Sequence, residues 1–221
     1  MGTTLQRLGL PAGVPGSAWN LERPEAVAAV HRAFVDAGAE AICTNTLCCL
    51  PGRPGWREEL EAGVALAAGA GVPVWLSLGP GAGHAEAVRA AGCDAVVLET
   101  FVDPWAGLEA ARAVRAVHPG PLVLSVVPLD GTVPAGVAEE AVRLGLTGIG
   151  VNCVPASQVA RALEGLELPL WVKPSDATAA ELVALASRAR WIGGCCGTGP
   201  EVIAELAATL SAGRGSGSSP R

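Results

Sequence analysis

The runs Gly148-Ile149-Gly150-Val151-Asn152-Cys153 and Trp191-Ile192-Gly193-Gly194-Cys195-Cys196-Gly197-Thr198 share one plan, a short apolar stretch that gives way to cysteine. Apolar runs of this length bounded by glycine read as buried strands, which puts the thiols where strands end. Working outward, strand-length apolar runs occupy residues 40–46, 72–78, 94–99, 121–127, 146–152, 168–173 and 190–194. Alanine-rich helical stretches separate them: Arg23 to Gly38, Trp56 to Gly71, His84 to Gly92, Trp105 to Val117, Val137 to Leu144, Ala156 to Leu163 and Thr178 to Ala189. Several end in glycine, which suits the left-handed position after a helix. A last helix, Pro200 to Ala212, opens with proline and glutamate, where a missing amide and a negative charge are both favourable.

This alternation is that of parallel β/α units. Seven strands, with a helix-like piece before the first, fall one short of an eight-stranded barrel. An open doubly wound sheet is the alternative. The candidate polar groups all lie at C-terminal strand ends, however, and no glycine-rich dinucleotide fingerprint follows the first strand. The expected fold is α/β, a TIM-type (β/α)8 barrel apparently lacking its first strand.

With 221 residues the chain makes one ordinary domain, expected over residues 1–211;. The tail 212–221, rich in glycine and serine, is expected to be disordered;. Half of the residues are hydrophobic, yet no stretch approaches the roughly 20 apolar residues of a membrane span. The start lacks the charged-then-apolar pattern of a signal peptide, so the chain reads as cytoplasmic. An odd number of cysteines, seven, does not suggest a disulfide framework. The net charge of -6 argues against nucleic acid or an anionic membrane as partner.

Three thiolates at the ends of strands, Cys153, Cys195 and Cys196, form the protein half of a zinc site with its fourth position open. Successive strand residues face opposite sides, so Cys195 and Cys196 cannot both fill one core layer. A redox pair or simple packing remain the local alternatives. Cys93, at a turn from helix to strand, reads as structural. Cys48 and Cys49 lack a histidine at ligand spacing and read as loop packing. His31, among alanine and valine, reads as a satisfied structural histidine; His84 and His118 read as solvated helix termini.

These residues resemble the zinc-dependent homocysteine S-methyltransferases, which include the betaine and S-methylmethionine enzymes and the homocysteine module of cobalamin-dependent methionine synthase. The likeness runs from Met1-Gly2-Thr3-Thr4 through Thr44-Asn45-Thr46, Ser77-Leu78-Gly79-Pro80 and Leu98-Glu99-Thr100 to Asn152-Cys153 and Gly193-Gly194-Cys195-Cys196-Gly197-Thr198. It implies a zinc cofactor on Cys153, Cys195 and Cys196, and it implies that Glu99 holds the amino group of homocysteine. Asn45 is placed either to hydrogen-bond substrate or to cap its loop. In the family a strand ending in aspartate precedes the Met-Gly-Thr motif, so the missing strand is expected at the front.

The implied reaction is methyl transfer from a cationic donor to the thiol of homocysteine, giving methionine. With no tyrosine and only two phenylalanines, an aromatic cage for a quaternary ammonium is thin. A small sulfonium such as S-methylmethionine is the expected donor, with S-adenosylmethionine as a weaker substitute. Three other readings stand beside it: a catalytically weak or inactive zinc-binding paralogue, the homocysteine half of a multi-chain methionine synthase, and a thiol-disulfide protein using Cys195-Cys196.

Overall fold

The computed structural model describes residues 1–215. Seven strands pair in parallel and in chain order: β1 (Ile42–Cys43), β2 (Val74–Leu78), β3 (Ala95–Phe101), β4 (Leu122–Val126), β5 (Gly148–Pro155), β6 (Leu170–Ser175) and β7 (Trp191–Ile192). Helices α4 (Trp56–Ala68), α5 (His84–Ala91), α6 (Pro104–Arg115), α7 (Ala135–Arg143), α8 (Ala156–Ala162), α9 (Ala179–Ala186) and α10 (Pro200–Gly215) each follow one strand. Ahead of β1 lie α1 (Gly2–Arg7), a 3-10 turn (Gly16–Ala18), α2 (Trp19–Glu22) and α3 (Pro24–Asp36). Among the described residues no helix is long and apolar enough to cross a membrane.

The sheet is curled. Neighbouring strands lie about 4.8 Å apart, so β2 and β6 would stand about 19 Å apart in a flat sheet. Yet the rings of Trp75 on β2 and Trp171 on β6 are 5.1 Å apart, and Trp75 also meets Trp191 on β7 at 5.4 Å. Three indoles therefore fill the barrel floor, packed with Val97 and Val123. Alternate residues Leu76, Leu98, Leu124, Ile149 and Val172 face outward into the layer beneath the helices;. Among the described residues β1 and β7 each pair on one side only, so the molecule is a TIM-type barrel missing a strand, as the sequence pattern predicts.

Several boundaries differ from the sequence reading. The first and last strands shrink to two residues each, although Thr44 N and Gly193 N still bond the neighbouring strands at Trp75 O and Val172 O. β5 instead runs past Cys153 to Pro155. α10 extends to Gly215, so residues 212–215 of the expected disordered tail are helical, and 216–221 lie outside the described residues. His84 and His118 are not solvated: they are 4% and 7% exposed. The His84 ring packs on Phe101 and bonds the Gly79 carbonyl, while His118 lies within 3.3 Å of the Pro121 carbonyl. His31 is buried as expected, but its Nε2 has no partner among the described residues; burial lowers its pKa to about 4 and keeps it neutral.

Gly150 is the tightest point of the floor. A Cβ there would stand 1.7 Å from the Trp171 carbonyl oxygen, and backbone in the β5–β6 ladder cannot step aside. Gly150→Ala should destabilise the fold by about 3 kcal/mol, read as a drop in the urea midpoint. An unchanged midpoint would mean that β5 and β6 are not packed as described.

Candidate metal centre

Two residues above the floor, the inward row of the barrel turns polar: Ser77 on β2, Glu99 on β3, Ser125 on β4, Asn152 on β5 and Lys173 on β6. Two strands then break their period of two. Val97 and Glu99 follow the inward alternation, but Leu98 and Phe101 both belong to the outer layer, so Thr100 is one residue too many. In β5, Val151 and Val154 both belong to that layer, so Cys153 is the extra residue. The pairing register shifts at these two places. Thr100 and Cys153 take φ of 70° and 57°, a left-handed conformation that costs a β-branched residue dearly. Each bulge re-aims a side chain toward the mouth.

Asn152 holds the two bulges together. Its Nδ2 donates to Thr100 Oγ1 at 2.9 Å and lies 3.3 Å from Cys153 Sγ; its Oδ1 accepts from Thr100 N at 3.0 Å and from Ser125 Oγ at 2.7 Å. The residue is fully buried. The other two cysteines ride on the loop after β7, which continues the ladder through Cys195 N to Pro174 O and Asp176 N to Cys196 O, both 2.8 Å. Gly197, at φ 78°, closes that loop, since a Cβ would lie 1.8 Å from Asp176 Oδ1. α1 ties the loop from the other side: Gly197 N donates to Thr3 Oγ1, and Arg7 donates to Gly197 O.

The result is three sulfurs within 4.8 Å of one another, with Cys153 Sγ 2.8 Å from Cys195 and 4.0 Å from Cys196. Those separations bracket the about 3.8 Å edge of a tetrahedral set with 2.3 Å zinc–sulfur bonds. Hydrogen bonds from Cys153 and Cys196 hold the Cys195 thiol far below its ordinary pKa, with Lys173 assisting, and the bond to Cys195 pushes its two neighbours up. Three cysteine sulfurs grouped in this way are the donor set a soft divalent cation takes on releasing their protons;. Cys196 is exposed and the others half-buried, so the set opens to the mouth.

Beside the sulfurs, Glu99 Oε1 accepts from Ser77 Oγ at 2.5 Å and Oε2 from Lys173 Nζ at 2.9 Å. Burial opposes the charge on Lys173, but Cys43, Glu99 and Cys195 outweigh it and hold the ammonium above its usual range. Asn45 lies farther round: both hydrogens of its amide are taken, by Gly16 O and Asn20 Oδ1, so it knits the loop after β1 to the 3-10 turn and α2. Cys49 is buried and Cys48 exposed on that same loop, away from the sulfur cluster. Arg53 forms a bidentate pair with Glu59 there. A cleft of about 480 Å³ opens between this loop and Gly79-Pro80-Gly81, with Leu47, Leu50, Pro51 and Thr100 in its wall. Sequence reasoning missed Lys173 and Ser125, and it gave Ser77 and Thr100 no role of their own although both lie in motifs it quotes. The signal for Lys173 was available, a lysine two residues after a buried tryptophan within an apolar strand.

Fold and site together define a β/α-barrel protein with a three-thiolate candidate metal centre at the C-terminal mouth. The chain belongs to the homocysteine S-methyltransferase family, whose sequence profile matches residues 1–210. It is similar in fold to the homocysteine methyltransferase MmuM from Escherichia coli. The metallated form of that enzyme superposes with a TM-score of 0.82 at 24% identity, covering 95% of this chain and 93% of MmuM. Its apo form gives 0.73 at 25%, covering 94% and 92%. A more distant barrel is YagE, an Escherichia coli K12 prophage protein of the dihydrodipicolinic acid synthase family, at 0.59 and 15%, covering 87% and 70%. No protein of curated function matches the chain significantly.

Asn152 gives a test of the site's construction. Asn152→Ala strips acceptors from two buried donors and should cost about 2–4 kcal/mol, against about 1 kcal/mol for Ser125→Ala, which removes one bond. Chemical denaturation of both variants measures this, and equal losses would show that Asn152 is not the hub.

Proposed function

We propose that the protein transfers a methyl group to the thiol of homocysteine, giving methionine, with zinc on Cys153, Cys195 and Cys196 and a small sulfonium, S-methylmethionine, as donor. The observation that carries this reading is the meeting of the three sulfurs beside a buried carboxylate in a chain of this family. A free thiol has a pKa of about 8.5 and is mostly protonated at neutral pH. Bound at this centre, zinc would hold a substrate thiol as thiolate, and its thiolate surroundings would leave that sulfur electron-rich.

The chain's own groups do the rest. Glu99 takes the substrate ammonium in a charge-assisted bond within a mostly desolvated mouth. Asn152 fixes Cys153 through the amide contact to its Sγ, which supports the ligand sulfur from behind;. Asn45, with its amide hydrogens taken, serves substrate as an acceptor through Oδ1. The donor enters by the cleft beside Thr100, whose wall holds no aromatic ring. That favours a sulfonium over a quaternary ammonium, which a cage of aromatic faces recognises. Transfer then needs only alignment of the two reactants.

The zinc-loaded protein should form methionine from homocysteine and S-methylmethionine, more slowly with S-adenosylmethionine, and should carry one zinc per chain. Replacing Cys153, Cys195 or Cys196 by alanine should remove zinc and turnover together, and chelation of the wild type should do the same, reversed by added zinc. A variant retaining full zinc content removes that residue from the ligand set. Turnover with betaine and none with S-methylmethionine would overturn the donor. Tight zinc that homocysteine leaves undisturbed, with no methyl transfer from any donor, would mark an inactive scaffold; a reversible two-electron titration without metal would mark a thiol-disulfide protein.

A further inference from the structure

Lys173 is the group at the mouth that the reaction above does not use. It points inward from β6, in register with Asn152 of β5, and so stands one strand away from the Cys153 sulfur. Its Nζ donates to Glu99 Oε2 at 2.9 Å; its other near neighbour is Cys43 Sγ at 3.8 Å. The Cys43 sulfur at that distance is a weak acceptor and offers the ammonium no oxygen;. An ammonium carries three donors and a carboxylate about four acceptor sites. Among the described residues Lys173 thus has hydrogens without an oxygen partner, and Glu99, with one bond on each oxygen, has lone pairs to spare. The side chains are 18% and 8% exposed, a mostly desolvated pair that still reaches the mouth.

A desolvated carboxylate alone would accept any primary amine, and a desolvated ammonium alone any acid. Set side by side they present opposite charges to a ligand that carries both. A zwitterion laid antiparallel across them adds no net charge to a low-dielectric site and supplies acceptors to the lysine and donors to the glutamate at once. We propose that Lys173 binds the α-carboxylate of the thiol substrate while Glu99 binds its α-ammonium, so that the ion pair selects an α-amino acid and turns its thiol toward the three cysteines. This rests on homocysteine as the substrate.

The test is equilibrium binding to the zinc-loaded protein, by titration calorimetry, of three thiols with the same three-carbon spacing: homocysteine, 3-aminopropane-1-thiol, which lacks the carboxylate, and 4-sulfanylbutanoate, which lacks the ammonium. Wild-type protein should bind homocysteine about 10- to 100-fold more tightly than either. Lys173→Met should weaken homocysteine and 4-sulfanylbutanoate by about that factor and leave 3-aminopropane-1-thiol nearly unchanged. Lys173→Arg, which keeps the charge in a different shape, should recover part of the loss.

Weakening of homocysteine and 3-aminopropane-1-thiol by Lys173→Met, with 4-sulfanylbutanoate unchanged, would show that the lysine merely holds Glu99 in place. Tighter homocysteine binding in that variant would show it to be a competitor for Glu99. Either result overturns the proposal. If Lys173→Met does not fold, the wild type still decides, because equal affinity for homocysteine and 3-aminopropane-1-thiol rules out a carboxylate contact. An unaltered ratio of those two affinities in Lys173→Arg would also count against Lys173. Homocysteine bound with this selectivity but never methylated would refute the methyl-transfer reading and leave the lysine's role standing. Binding of none of the thiols would sink both.

Discussion

The pleat of the parallel strand is the constraint on which everything else depends. Side chains along a strand alternate between barrel interior and helical layer, so each strand offers the interior one residue in two. The floor uses that alternation without exception: Trp75, Trp171 and Trp191 turn inward while Leu76, Val172 and Ile192 turn out. The next inward row is short and polar, and two strands escape the rule by inserting one residue. Those insertions, Thr100 and Cys153, are where the site is made. An unbulged β5 would have put Cys153 in the outer layer beneath the helices.

Such a site needs internal support, because a left-handed threonine and a left-handed cysteine are each unfavourable by about 1–3 kcal/mol. Asn152 supplies it by joining β3, β4 and β5 through its bonds to Thr100, Ser125 and Cys153, with no polar atom to spare. Around this rigid hub stand two charge clusters of different character. The Lys173–Glu99 pair is balanced within the protein. The sulfurs are not, since three thiolates so close together repel one another, and only protons or a cation relieve that. The site is therefore neutral where an amino acid would rest and electron-rich where its thiol would arrive.

Much of this was legible in the sequence. Strand count, parallel order and the helix after each strand follow from run length and alternation, and the cysteines were singled out because Cys195 and Cys196 are adjacent and Cys153 ends an apolar run in the same way. The bulges were not legible. A period-two pattern shows which residues lie in a strand, but Gly148 to Pro155 contains no residue that announces an extra member, and Cys153 therefore read as a strand end. The histidines failed for a related reason: His84 and His118 flank helices, and burial at those points depends on the Phe101 ring and the Pro121 carbonyl, contributed by other parts of the chain. Lys173 was overlooked because a lysine near a strand end is usually solvated, and only the curl of the sheet brings Glu99 within reach of it.

The unpaired edges of β1 and β7 give the barrel a seam, and the seam has mechanical meaning. A closed ring resists a change in girth through every ladder at once, whereas an open one can be widened by rotating its two lips apart without breaking a backbone hydrogen bond. Cys195 and Cys196 stand on the loop that leaves one lip, and Cys153 belongs to the continuous arc of β2 to β6. The three sulfurs thus straddle the seam, with the bonds from Gly197 to Thr3 and Arg7 as the stitches across it. An ion gripping all three would act as a clasp, coupling the occupancy of the centre to the stiffness of the whole barrel.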